Sequence, residues 1–307
     1  MAKIISLGIS NRKDSILELI FKGNSSNLEA LLQNPNFSTP LWLIVWDPVV
    51  MNAIAASSTA MNAVVNSSTA MNAIAASSTA MNAIINSQTA LNAVVNSSTA
   101  MNAIAASSTA MNAIAASSIA MNAIAASSIA MNAIINSQTA LNAVKNNSTV
   151  WNIFINGKGL TTKEVPAMTS NTAPEGVVSA SSIYDPTYNA FKAFDKDPSS
   201  YWYAAGRAPQ WIQYQFTVPV FVHTVTLTGY DSTGYGYNPN SITIQVSNDG
   251  NNFSNIQTFN QEFTSTPTTL YIAYKGYYKY WRVLVNSTNS YYPIIRELNF
   301  KGFIQPA

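Results

Sequence analysis

Side chains able to do chemistry are sparse in this chain, and their pattern suits contact rather than proton or group transfer. His223 is the only histidine; it sits in the strand-like run FVHTVTLTGY and reads as a structural residue. There is no cysteine, which excludes disulfides, thiolate metal sites and a cysteine nucleophile. No histidine is spaced with carboxylates, no carboxylate pair is spaced for glycoside hydrolysis, and no phosphate- or nucleotide-binding motif occurs. The sequence points away from an enzyme. What it does supply is tyrosine, fifteen in all. In the segment YDSTGYGYNPN (230–240), Tyr235 and Tyr237 can offer ring faces to the apolar face of a small polar ligand. Asp231, Asn238 and Asn240 in the same segment can hydrogen-bond its hydroxyls. Arg282, within the run YWRVLV, is expected to pack or pair internally.

The composition sets limits on partners. Charged residues make up 9% of the 307, against about 25% in ordinary globular proteins. A formal net charge of +2 creates too weak a field for polyanions, so no nucleic-acid partner is expected. The apolar run Ile4–Ile9 is short and is followed by Arg12 and Lys13, which is no adequate signal peptide. Leu41–Trp46 is far below the roughly 20 residues that span a bilayer, so no membrane insertion is expected. The expected place of synthesis is a host cytoplasm, with release by assembly or lysis.

Three zones position these residues. In residues 1–50, Asp14–Lys22 and Ser26–Gln33 read as short helices, and Asn34-Pro35 stops the second. The following LWLIVWDP is either a small core or a docking surface for a partner. Residues 51–150 are ten tandem decapeptides of the type MNAIAASSTA. Met or Leu opens every copy and Ile or Val stands fourth; MNAIINSQTALNAV occurs at 81 and again at 131, marking a fifty-residue duplication. A period of ten without Gly or Pro favours helix. Ten residues fall about 80° short of three helical turns, so keeping the apolar stripe on one side demands a tight left-handed supercoil. One reading is therefore a parallel homotrimer of continuous helices on the order of 150 Å long. The other is a stack of very short helices, each Ser-Ser-Thr capping the next. Either way the zone is a spacer, since no single repeat buries its own stripe. Residues 151–170 read as a junction, the repeat ending at Trp151 and Asn156-Gly157 and Gly159 breaking the helix.

From residue 171 to 307 the composition turns aromatic and β-branched. QWIQYQF, FVHTVTLTGY, SITIQV and YWRVLV are strand-like, and Asn248-Asp249-Gly250 is a hairpin signal, which together argue for an antiparallel sandwich. Five segments in order carry a resemblance: AFDKDPSSYW (193–202), QWIQYQF (210–216), QVSNDGNNF (245–253), KYWRV (279–283) and IIRELNFKG (294–302). They are similar to the signatures of discoidin, or coagulation-factor 5/8 type C, domains, which include bacterial galactose-binding-like carbohydrate-binding modules. The resemblance implies an all-β jelly-roll sandwich of eight strands. Lys196, Ser200, Gln215 and Phe253 depart from the family's usual Gly, Thr, Asp and Trp.

The resemblance also implies sites. Calcium-binding members gather one ion between the Asp-rich loop and the closing Glu, which here gives Asp195, Asp197, Ser200 and Glu297. All are oxygen donors, as a hard cation requires; a turn-capping role for the two aspartates is the other reading. The family's sugar loops correspond to Tyr230–Asn240, with Tyr291 and Tyr292 on a later loop expected at the same end. Tyr184, Tyr188 and Tyr203 are further possibilities. Tyr230 stands where the family's galactose sites carry Arg, which leaves the sugar open. The alanine-serine decapeptides resemble those of bacteriophage fibre and appendage proteins. The combined expectation is a virion fibre, on head or tail, attached to a capsid or tail protein through residues 1–50. It would project its sandwich toward host-surface or mucus glycans and bind by avidity. The alternative is a non-catalytic, lectin-like module that places a separate enzyme on polysaccharide.

Overall fold

The computed structural model describes residues 2–230, 236–272, 276–289 and 291–305. The chain divides into two compact units, Met1–Leu160 and Thr161–Ala307.

In the first unit, helices α1 (Ala2–Phe21), α2 (Ser25–Leu32) and α3 (Ser38–Val45) precede the repeats. Each of the ten repeats then contributes one short helix, and residues 148–155 add an eleventh. The first four are α4 (Pro48–Ala56), α5 (Ser58–Val65), α6 (Ser68–Ala75) and α7 (Ser78–Ile85). Next come α8 (Gln88–Val95), α9 (Ser98–Ala106), α10 (Ser108–Ala115) and α11 (Ser118–Ala125). The last are α12 (Ser128–Ile135), α13 (Gln138–Lys145) and α14 (Ser148–Ile155).

The seventh residue of each repeat makes the break. Ser77 is extended (φ −106°, ψ 117°), and its Oγ accepts the Ala80 N–H at 3.2 Å. An extended N-cap opens the next helix and cannot continue the last. The chain turns there by 104° between α11 and α12. Three corners bring it back over itself, so each helix stacks on the third one after it: α4 on α7, α5 on α8, α6 on α9, and likewise to α11 on α14. The same hydroxyl ties the layers. Ser77 Oγ donates to Val45 O (2.8 Å), Ser97 to Val65 O (2.7 Å) and Ser127 to Val95 O (2.6 Å), each 32 residues back. Asn147 does the same through Nδ2 to Ala115 O at 3.0 Å. Inside this three-sided coil, Met61, Met81, Met101 and Met121 are fully buried, with Ile104, Ile134 and Val144 beside them.

The structure thus selects the stack of short helices over the continuous supercoiled helix of a trimeric shaft. The physical reason is the capping serine, which lets three successive repeats share one interior. The stripe that argued for a trimer is covered within one chain. With stacked helices roughly 8–10 Å apart, ten repeats rise about 30 Å rather than 150 Å.

Both ends of the coil are closed by substitutes for the serine contact. At the start, α1 packs on α3 and α5, and α2 on α5 and α6. The Glu29 carboxylate accepts from Ser67 Oγ, Ser68 Oγ (3.0 Å), Thr69 Oγ1 (2.8 Å) and Thr69 N (3.2 Å), capping α6. Leu41, Ile44 and Val45 join the core, whereas Trp46 (64% exposed) and Val49 (76% exposed) do not. At the other end the repeat runs on through Ile155, past the boundary expected at 150. Gly157 occupies the serine position, where an added Cβ would lie 2.8 Å from Ala125 O; the Gly159 N–H donates to that carbonyl instead (2.9 Å).

The second unit holds nine strands among the described residues: β1 (Thr162–Glu164), β2 (Val177–Ala180), β3 (Trp202–Tyr203), β4 (Gln210–Gly229) and β5 (Pro239–Ser247), then β6 (Ser254–Phe259), β7 (Thr268–Tyr271), β8 (Tyr278–Thr288) and β9 (Ile294–Ile304). All pairs are antiparallel. β4 is the hinge of the topology. Its first half pairs with β2 and β8, and its second with β7 and β9, the register shifting between Gln215 and Val220. The sheet therefore folds over a core that includes Phe194, Trp202, Tyr214, Phe216, Trp281 and Phe300. Its polar tips are satisfied: Trp202 Nε1 donates to Ser182 O (2.9 Å), Trp281 Nε1 to Val220 O (3.2 Å) and Tyr214 OH to Glu175 O (2.6 Å). His223 is fully buried against Phe303, with Nδ1 2.8 Å from Thr224 Oγ1. Burial, and secondarily Lys301, lowers its pKa to about 3, so it is a neutral structural residue. Arg282 lies between the rings of Trp211 (4.0 Å) and Phe253 (3.5 Å) and donates to Gln213 Oε1 (2.7 and 3.0 Å).

Ser77→Ala should remove both the cap and the interlayer bond. A lost cap costs about 1 kcal/mol and a buried carbonyl left unpaired about 1–3 kcal/mol. Urea unfolding should show the loss in Ser77→Ala but not in Ser78→Ala, whose residue is exposed; equal midpoints for the two would refute the corner assignment.

Candidate functional site

The site is built on a strand alternation. Around β3, Trp202 and Ala204 point into the core, which turns Tyr201 and Tyr203 outward. β3 pairs with β9 through Trp202–Ile295 and Tyr203–Ile294. Neighbouring loops are tied to this edge by backbone bonds: Tyr184 N to Tyr203 O (2.8 Å), Tyr291 N to Gly236 O (3.1 Å) and Ile294 N to Tyr237 O (3.1 Å).

Eight tyrosines converge there. Three pairs are stacked: Tyr184 on Tyr203 (4.6 Å), Tyr188 on Tyr201 (4.9 Å) and Tyr237 on Tyr291 (4.7 Å). Edge contacts join them, Tyr203 to Tyr188 (5.7 Å) and Tyr237 (6.0 Å), and Tyr230 to Tyr201 (5.2 Å) and Tyr237 (5.6 Å). Tyr292 lies 6.4 Å from Tyr203. The outermost rings, Tyr184 and Tyr291, are 55% and 50% exposed. Burial first, then neighbouring tyrosines, raises the pKa of Tyr201 and Tyr203, which keeps their hydroxyls neutral donors and acceptors. Arg296 from β9 sets its guanidinium 5.3 Å from the Tyr230 ring, and its Nε is buried without a hydrogen-bond partner.

Of the residues expected to touch sugar, Tyr230, Tyr237, Tyr291 and Tyr292 meet in this cluster. Asp231 and Tyr235 lie outside the described residues. Asn238 does not face solvent: it is 1% exposed, and its Oδ1 accepts the Tyr230 N–H (2.8 Å) while Nδ2 donates to Glu262 (3.2 Å). It brackets the loop ends instead of presenting an amide to ligand. Asn240, the second residue of β5, is engaged by Asn289 (2.6 Å) and Ser287 Oγ. Sequence reasoning missed Tyr201 and Arg296. The alternation about Trp202 in SSYWY would have found the first; the second needed the register of β9.

The acidic loop makes a second arrangement. Ser200 Oγ lies 2.7 and 2.8 Å from the Asp195 carboxylate oxygens and 3.0 Å from Lys192 O. Lys192 Nζ is 3.4 Å from Asp195 Oδ2. Lys196 adopts φ 60°, the left-handed conformation in which the resembled signature places Gly. Asp197 turns to its own loop, where Oδ1 accepts from Ser199 N (2.9 Å) and Ser199 Oγ (2.6 Å). Glu297 Oε1 is buried without a partner. Burial, then the charges of Asp195 and Asp197, raises the Glu297 pKa to about 7, partly offset by the Lys196 N–H. Among the described residues no three Asp, Glu, His or Cys side chains converge. The two carboxyl groups, one hydroxyl and one carbonyl nonetheless form an all-oxygen donor set, with a buried Glu297 oxygen that lacks a hydrogen-bond partner, which fits a hard cation.

The second unit can now be placed. Residues 177–298 match the F5/8 type C domain. Solved structures similar to this domain include the F5/8 type C domain of a Bacteroides fragilis protein (22% identity, 45% of this chain, 97% of that one, TM-score 0.37). Another is the family 32 carbohydrate-binding module of Clostridium perfringens NanJ in complex with galactose (16%, 46% and 99%, TM-score 0.39). A third is chitosan-binding module 1 of a chitosanase/glucanase from Paenibacillus sp. IK-5 (27%, 42% and 97%, TM-score 0.36). No curated protein matches the chain. The tyrosine cluster and the acidic loop both belong to the F5/8 type C domain, with Tyr184 and Tyr291 inside the matched span.

In chelator, the protonated Glu297 of the folded domain makes stability fall as pH rises from about 4.5 to about 7, because the unfolded carboxyl ionises first. His223 works in the opposite sense below its ordinary 6.5, since only the unfolded chain protonates it there. The stability of the parent minus that of Glu297→Gln isolates the first effect. That difference, from urea unfolding across the range, should decline toward pH 7; parallel profiles would contradict it.

Proposed function

We propose that the protein binds glycans through the tyrosine surface of its F5/8 type C domain. The observation that carries this reading is the set of eight joined tyrosines ending in two half-exposed rings. Tyr184 and Tyr291 each rest on an inner tyrosine, so their faces are held in place before a ligand arrives. A pyranose can lay its C–H face on such a ring, while neutral phenol hydroxyls exchange hydrogen bonds with its hydroxyls. The domain binds its ligand and leaves it unchanged. The helical unit serves as a mount, in an appendage of the bacteriophage fibre type attached through residues 1–50, where Trp46 and Val49 are uncovered. Several copies on one virion, as homotrimers or otherwise, raise weak single-site binding by avidity. Calcium is held by Asp195, Ser200, Glu297 and the Lys192 carbonyl, where it supplies positive charge to two carboxylates and fixes the loop that leads into Tyr201.

Two outcomes are expected. Tyr184→Ala/Tyr291→Ala should cost about 1 kcal/mol of stability per lost stack. The same variant should lose retention on host-surface polysaccharide and on a glycan array read with the full-length protein. Equal retention by parent and variant would refute the site. Separately, added calcium should raise the melting temperature with concentration, and Asp195→Ala should abolish the rise. Identical melting in chelator and in millimolar calcium would remove the metal.

A further inference from the structure

We propose that the groove between α5 and α8 is a second binding site, for an uncharged sugar, built by the repeats themselves and independent of the F5/8 type C domain. The groove is open to solvent along one side and holds about 620 Å³, room for a small ligand lying on the surface. Asn62, Asn66, Asn92 and Asn96 line it, with serine and threonine hydroxyls around them and Val65 and Ala93 as its apolar part. No charged side chain is among the lining residues.

The lining is selected by sequence rather than imposed by the repeat. The second residue of every copy is Asn, but the sixth is Ala in some copies and Asn in others. Stacked layers are thirty residues apart, and 66 over 96 is the one pair in the array with Asn at the sixth position of both layers. Elsewhere Asn faces Ala or Ala faces Ala. Higher in the same column, between α11 and α14, Ala126 is paired with Asn156. The groove there holds about 290 Å³; Ala125, Ala126 and Ile153 line it with two asparagines, Asn122 and Asn156, and with Gly157 and Lys158. Sixth-position amides at both layers thus coincide with the larger and more polar groove.

The amides are also held in position. Asn66 Nδ2 donates to Asn62 O and Asn96 Nδ2 to Asn92 O, both at 2.9 Å, which leaves each Oδ1 as an acceptor. Asn92 Oδ1 accepts from Gln88 Nε2 (2.9 Å), which leaves its Nδ2 as a donor. Fixed, neutral donors and acceptors with a small apolar floor suit a polyol, since nothing compensates an ion and too little apolar surface lines the groove for a lipid.

The test uses the full-length protein in the Tyr184→Ala/Tyr291→Ala background, so that the tyrosine surface makes no contribution. Cello-, malto- and mannotriose and fully N-acetylated chitotriose are titrated while the side-chain amide signals of Asn62, Asn66, Asn92 and Asn96 are followed by NMR. At least one sugar should shift the amides of Asn66 and Asn96. Asn66→Ala/Asn96→Ala, which copies the residue the array itself uses at Ala76 and Ala106, should weaken that binding about tenfold as two hydrogen bonds are lost. The helical circular dichroism should stay unchanged. No shift with any neutral sugar at millimolar concentration, or shifts indifferent to the double substitution, would overturn the proposal. So would shifts produced by a peptide or an anionic polysaccharide and not by these sugars.

Discussion

At Ser77, Ser87, Ser97, Ser107, Ser127 and Ser137 a single hydroxyl, accepting one hydrogen bond and donating another, holds the helical unit in shape. Accepting from the amide three residues on, it opens a helix; donating to a carbonyl 32 residues back, it binds that helix to the layer below. Neither role needs charge, and so a surface with few ionic residues still carries a defined fold. Longer helices would have placed the Met and Ile stripe outside and required other chains to cover it. Short ones let the third repeat cover the first.

The β unit obeys a different constraint, the alternation of sides along a strand. Trp202 goes inward and ties its indole N–H to Ser182 O, which obliges Tyr201 and Tyr203 to go outward. Loops from three other parts of the chain are pinned to that edge by backbone bonds and bring their own tyrosines with them. The contact surface therefore inherits its rigidity from the core. The acidic loop lies immediately before Tyr201, so order in one is order in the other.

Much of this was legible in the residues. The decapeptide period, the capping Ser-Ser-Thr and the five ordered segments of the F5/8 type C domain could all be read directly. Choosing between one long helix and many short ones could not be done from the period, because both satisfy the stripe and only the geometry of the corner decides. Asn238 looked like an exposed amide since nothing local announces that its side chain spans two loop ends. Asp197 and Asp195 are two residues apart and look alike, yet one caps a turn while the other meets Ser200. Such distinctions depend on contacts between segments distant in sequence. Arg296 belongs with these, its place by Tyr230 fixed by the pairing of β9 rather than by its neighbours.

The three-sided coil also gives the array an angular meaning. Each added or lost decapeptide moves the end of the coil by one side, so its last helix faces one of three directions according to repeat number alone. A duplication of fifty residues, such as the sequence records at 81 and 131, advances the end by one full circuit and two sides more. Copy number in this protein therefore decides which of the three sides the coil ends on, as well as how far it rises.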